Sequence, residues 1–245
     1  MVNTAIQLYT LRDLEGDLPT LLRRVGETDF DGVEFAGFGE TSPREAAEVL
    51  DEAGLKAAAA HVGIDALEDD PDAARETCAA LGCARVVVPY LDESHFASAA
   101  AVRETAGRLS ELADRLAERG LELGYHNHDH ELVALEGDDR SAFELLLDET
   151  DDSLLIELDA GWAAAAGHDP TSLLDRLAGR TPLVHVKDVA DGRPVELGDG
   201  EVDIDACAAA ARSAGAEWLI YEHDEPADPA ASLERGATTL SDLRD

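Results

Sequence analysis

The chain has 245 residues, 45% of them hydrophobic, which suits one large domain and matches the usual size of an α/β barrel. Its formal net charge is −35, from 54 acidic and 19 basic residues, and a field that negative argues against DNA phosphates or anionic lipid as partners. No apolar run approaches the ~20 residues that cross a membrane.

In chain order, short β-rich runs alternate with helical stretches. The strand candidates are residues 4–9, 32–38, 55–62, 84–90, 121–128, 154–160, 183–188 and 218–223. Their apolar runs are nearly continuous, as in buried parallel strands. Pro19 and Pro43 mark helix starts, the second behind Thr41 and Ser42 as candidate caps. Gly54, Gly82, Gly120, Gly179 and Gly215 stand where helices end before the next strand. The longest helix is expected over 94–119 and the last over about 229–243. No Ser/Gly-rich linker interrupts the pattern, and no GxGxxG follows the first strand. The pattern predicts a single (β/α)8 TIM barrel over residues 1–245.

The start, MVNTAIQLYTLRD, has no basic segment before its strand, so no signal peptide and a cytoplasmic location are expected. Cys78, Cys83 and Cys207 form no CxxC pair and read as small apolar residues. The acids are spread along the chain, as in proteins that stay soluble in concentrated salt, where the Debye length is only ~3 Å at 1 M. A halophilic source is therefore our hypothesis. Molar KCl is expected to raise the melting temperature, and equal stability with and without it would remove the idea.

Active sites of such barrels lie at the C-terminal strand ends, and alternate strand residues face one way. On that rule His126 and His128 share a register, as do Glu157 with Asp159, His185 with Lys187, and Glu222 with Asp224. Earlier strands add Gln7, Glu34 and His61. Ionisable groups at nearly every strand end are hard to explain as packing, because an unpaired buried charge is costly. His, Asp, His and Glu donors suit Mn²⁺, Mg²⁺, Co²⁺ or Zn²⁺ better than a soft metal. Glu157, deeper in its strand, is expected to pair with Lys187 or another barrel residue. Trp162 and Asn127 are candidates for substrate contact, with Glu34 and His61. Residues 197–202 read as a turn able to fold over the mouth.

The segments QLYTLRD, GVEFAGFG, YHNHDHEL, LDAGW followed by HDP, HVKD, LGDGEVD and YEHDEP occur in this order. Together they resemble the xylose-isomerase-like sugar phosphate isomerases and epimerases, over the whole chain. The resemblance implies one divalent metal held at the ends of strands five to eight, its last three ligands falling on Asp159, His185 and Glu222. Where many members have Glu-Asn-His, this chain has His126-Asn127-His128. The first ligand is then His126, with His128 and Glu131 as alternatives. The metal would bind a keto sugar or polyol derivative and stabilise an enediolate. Glu222 is the first candidate base, His128 or Glu131 would return the proton, and Lys187 would stabilise negative charge. The same residues allow a metal-dependent dehydratase or lyase, and a sugar-binding barrel without chemistry is the reading from another class. A repair endonuclease on this barrel would need a basic face. Apart from Arg193, little basic residue density lies near strands seven and eight, which favours an unphosphorylated substrate. The partner expected is a small-molecule sugar, and a homo-oligomer is compatible with the sequence.

Overall fold

In the computed structural model, which describes residues 1–244, the eight barrel strands are β1 (Asn3–Gln7), β2 (Gly32–Phe35), β3 (Lys56–His61), β4 (Arg85–Val88), β5 (Glu122–His126), β6 (Leu154–Asp159), β7 (Leu183–Val186) and β10 (Trp218–Tyr221). They close in the order β1-β10-β7-β6-β5-β4-β3-β2, every neighbouring pair parallel. This is the expected (β/α)8 barrel. The remaining strands, β8 (Asp188–Ala190) and β9 (Arg193–Val195), form an antiparallel hairpin above it.

The strands end earlier than alternation suggested. Strand β5 stops at His126, so His128 stands in the following loop rather than in the same strand register. The seventh run breaks after Val186, and Asp188 opens the hairpin. Glu222 lies one residue past the end of β10. The polar side chains thus sit on strand ends and on the first loop residues, where the backbone can splay them toward one point.

Helix boundaries follow the local chemistry. Asp17, Ser42, Asp70, Asp169 and Asp228 each cap a helix whose first turn contains Pro. Ser42, not Thr41, accepts the Glu45 amide at 3.2 Å. Gly54, Gly82 and Gly215 close their helices in the left-handed conformation. The longest helix is Ala99–Ala117, five residues shorter at its start than expected, because Ser98 caps it and a 3-10 turn (Glu93–Phe96) occupies the preceding stretch. The last helix is Pro229–Asp242.

Two apolar regions hold the barrel. The larger lies between strands and helices and includes Phe35, Leu109, Tyr125, Phe143 and Leu219. The smaller fills the interior with Ala5, Ala58, Ala59, Val87, Leu183, Trp218 and Ile220. A Cβ at Gly32 would lie 2.3 Å from the Lys56 carbonyl oxygen and 3.0 Å from the Trp218 ring. Two positions beyond four of these floor residues, in the same register, come Gln7, His61, His185 and Glu222. The floor is apolar and the next layer up is charged. Among the described residues no helix is long and apolar enough to cross a membrane.

Candidate metal centre

The charged layer converges from strands far apart in sequence. His126, Asp159, His185 and Glu222 present one donor atom each, all within 4.8 Å of one another, and all four residues are buried. Strand pairing sets this up, since Asp159 lies beside His185 across β6 and β7. His185 Nδ1 is 3.0 Å from Glu222 Oε2 and 3.9 Å from Asp159 Oδ2, while His126 Nε2 is 3.8 Å from the same Asp159 oxygen. Asp159 Oδ2 is buried and lies 2.8 Å from Lys187 Nζ as well as near the two imidazoles. Two imidazoles and two carboxylates converging in a buried site form a donor set a divalent cation can use, with bonds of about 2.0–2.2 Å to such donors. The donor set therefore fits Mn²⁺, Mg²⁺, Co²⁺ or Zn²⁺.

A carboxylate holds the far side of each imidazole. Glu157 Oε2 lies 3.0 Å from His126 Nδ1, and Glu34 Oε2 lies 2.7 Å from His185 Nε2. Gln7 donates to Glu34 at 2.8 Å, and His61 Nε2 is 2.8 Å from Glu157 and 3.2 Å from Glu34. Of the two expected partners, Glu157 pairs with barrel residues, the imidazoles of His61 and His126, and not with Lys187, which lies beyond the end of β7 and reaches a different group of acids. Lys187 Nζ stands 2.8 Å from Asp159, 2.9 Å from Glu222 and 2.8 Å from Asp224. It also lies 4.8 Å from the centre of the Trp162 ring. Gly161 leaves room for this lysine, since a Cβ there would come within 2.6 Å of Lys187 Cγ.

The electrostatics follow from burial set against these partners. Burial would depress His61, but Glu34 and Glu157 raise it to about 10, so its ring is protonated at neutral pH. Burial is likewise outweighed at His185, where Glu157, Glu222 and Glu34 raise the pKa well above the usual value. His126 is driven well below its usual value by burial, with His185 and His128 adding to it. His128 falls to about 3, through burial and then the Lys187 charge. Asp159 is pushed up to about 6 by burial, against the pull of Lys187 and His185. At Glu222 burial loses to Lys187 and His185, which hold it well below the carboxylate range.

Above this layer opens a cavity of about 470 Å³. His61, His126, His128, Glu222 and Asp224 face it, and Tyr9, Pro89 and Tyr90 form its apolar walls. Not every expected site residue reaches it. Glu34 is fully buried beneath, bonded to Gln7 and His185. Asn127 is also fully buried, accepting the Asp159 amide at 3.0 Å, and so fixes the end of β6 instead of meeting substrate. Trp162 packs 6.0 Å from His128, ring centre to ring centre, and does not line the cavity. Glu131 is buried with its oxygens accepting from the Tyr125 hydroxyl and the His128 amide, which fits a brace for the loop after β5 and not a proton carrier.

Burial raises Glu131 from its ordinary 4.5 to about 8. A raised carboxyl binds its proton more tightly in the folded chain, so its stabilisation is complete below pH 4.5 and is lost as pH rises toward 8. Glu131→Gln is expected to remove that loss. Relative to the native chain, the variant should gain a few kcal/mol between pH 5 and 8, at about 1.4 kcal/mol per pH unit. Urea titrations at several pH values would show it, and parallel stability curves would refute it.

The sequence reading missed Tyr9, Tyr90 and Asp188. The first two close predicted strands with an aromatic side chain, 44% and 52% exposed, a signal that was legible. Asp188 accepts the amides of Gly198, Gly200 and Val202 at 2.9, 2.9 and 3.1 Å. It thereby pins the loop over residues 197–202 to the hairpin.

A family model for the xylose isomerase-like TIM barrel matches residues 22–243. The rhizopine catabolism protein MocC of Rhizobium meliloti is 36% identical over 87 residues, 35% of this chain and 26% of that protein. The match thus spans about a quarter of that relative's length. A sugar phosphate isomerase/epimerase from Parabacteroides distasonis superposes with a TM-score of 0.86 at 19% identity, covering 100% of both chains. The IOLI protein with a binding zinc atom superposes at 0.75 and 16% identity, covering 99% of this chain and 98% of that one. At such identities the two structures establish a shared fold, and the family match covers most of the sequence. The chain belongs to the xylose isomerase-like TIM-barrel family.

Proposed function

We propose that the chain is a divalent-metal-dependent sugar isomerase or epimerase acting on a keto sugar or polyol derivative. One observation carries this reading. His126, Asp159, His185 and Glu222, from four different strand ends, bring their donors within 4.8 Å of one another, and two of them, His126 and Glu222, line an open cavity. The zinc in the IOLI protein and the isomerase/epimerase of the same fold support it. A bound divalent cation supplies Lewis acidity to a carbonyl and its neighbouring hydroxyl.

The chain's own residues supply the proton traffic. Glu222 borders the cavity as a carboxylate, the form a base needs, and removes the proton beside the carbonyl. Of the expected proton donors, Glu131 is tied into its loop and His128 is neutral. His61 borders the same cavity, with its nitrogens turned to Gln7, Glu34 and Glu157, and is the remaining side chain there that could return a proton to the substrate. Lys187 holds Glu222 and Asp159 in place from the buried side.

The test is metal binding first and exchange second. Titration of Mn²⁺ or Zn²⁺ into the metal-free chain should bind about one equivalent and release protons, because His185 must give up its proton to become a ligand. The loaded chain should then wash solvent deuterium into a keto sugar. Failure to bind metal would favour a sugar-binding barrel without chemistry.

A further inference from the structure

At the face of the barrel opposite the metal centre stand two thiols that the proposed reaction does not use. We propose that Cys78 and Cys83 form a reversible disulfide staple at the end of helix Pro71–Leu81, with Cys83 the attacking thiol and Cys78 its resolving partner. The backbone brings them together. Gly82 ends the helix in the left-handed conformation, φ 71°, and the Cys83 amide donates to the Cys78 carbonyl at 3.1 Å. This closure sets the side chains on either side of the turn against each other. It holds the two backbones at a span suited to a disulfide, which needs Cα atoms about 4.4–6.8 Å apart. Both sulfurs meet the backbone of Arg85. The Cys78 thiol donates to the Arg85 carbonyl at 3.8 Å, and the Arg85 amide donates to the Cys83 sulfur. The chain is pinned there, since the Glu122 amide donates to the Ala84 carbonyl at 2.8 Å. The helix end and the start of β4 are therefore both fixed around the pair.

Burial divides the roles. Cys78 is fully buried, whereas Cys83 is only half-buried. Contact with the Cys78 thiol lowers the Cys83 pKa against burial, and the Arg85 amide adds to it; the same contact and burial raise Cys78. A thiolate that solvent reaches, beside a buried thiol, is the arrangement of a redox pair. The oxidant is a small disulfide. The Cys83 thiolate attacks one of its sulfurs and releases the other half as a thiolate. Cys78 then loses its proton, attacks Cys83 Sγ and releases the second half. Two protein thiols are oxidised, and the small disulfide is reduced to two thiols that take up the two protons. The bond would lie at the N-terminal face of the barrel, where residues govern stability rather than chemistry. Cys207 offers an internal control, being buried on helix Ile204–Ala214 and pushed up to about 12 by burial and then Asp169.

The experiment treats the reduced full chain with 2-hydroxyethyl disulfide, a neutral probe, because a net charge of −35 repels anionic disulfides. Remaining thiols are alkylated in denaturant and the chain is cut with trypsin, which leaves both cysteines on the peptide 76–85. That peptide is expected without alkyl groups and two hydrogens lighter, with Cys207 alkylated. The link should form at least about tenfold faster than any adduct at Cys207. The oxidised chain should melt a few degrees above the reduced one, and dithiothreitol should reverse the shift. Cys78→Ser should trap Cys83 as a stable mixed disulfide, while Cys83→Ser should leave Cys78 unmodified. In the native chain, a persistent adduct on Cys83, two alkyl groups on the peptide 76–85, or an oxidised form that melts no higher would overturn the staple. An adduct on Cys78 in Cys83→Ser would overturn the assigned roles. None of these readouts passes through metal binding or turnover, so the inference stands or falls apart from the isomerase reading.

Discussion

Glu222→Gln is expected to cut solvent-deuterium exchange into a keto sugar by about 10²–10⁴-fold, the usual worth of a positioned general base. The substitution keeps the shape of the side chain and one oxygen that can accept the His185 proton or meet a cation. It removes the negative charge and the proton-accepting capacity. Lys187 retains Asp159 and Asp224 as partners, so the fold should survive. Activity should therefore be measured at saturating Mn²⁺, with bound metal confirmed in the variant. Loss of exchange with metal in place assigns the loss to proton transfer. Full exchange in the variant would take Glu222 out of the chemistry, and His61 would then be the group to replace next, since it faces the same cavity from β3.

The donors of this centre were legible because strand periodicity is a strict rule. His126, Asp159 and His185 are strand residues whose registers follow from alternation, and Glu222 follows one residue later. What alternation does not encode is where a strand stops. The run LVHVKDV alternates smoothly through Lys187, yet the barrel strand ends at Val186 and a hairpin begins at Asp188. This break sends Lys187 to three acids above and leaves Glu157 to the histidines. Contacts made by loops were also hidden. Asp188 binds amides ten to fourteen residues later, and Glu131 reaches back to Tyr125. Neither spacing has a periodic signature. Glu131 and Asn127 were therefore expected at the substrate because they stand in a histidine-rich segment, and the fold uses them to hold that segment still.

Lys187→Met should have the largest effect on stability. The lysine is fully buried, its charge balances Asp159, Glu222 and Asp224, and its stem packs against Gly161. Methionine fills a similar space but leaves Asp159, Glu222 and Asp224 without the ammonium, with His185 reaching only the first two. Breaking a buried ion pair by removing one partner costs about 3–5 kcal/mol, so a loss in that range is expected in the metal-free chain by urea titration at pH 7. The loss should shrink when Mn²⁺ is added, because a divalent cation among Asp159, Glu222 and the imidazoles supplies part of the missing positive charge. It should also shrink toward pH 5, where Asp159, pushed up to about 6 even beside Lys187, takes up a proton in the variant. A cost below about 1 kcal/mol, insensitive to both metal and pH, would mean that solvent reaches these carboxylates, and the centre would then be far wetter than its burial implies.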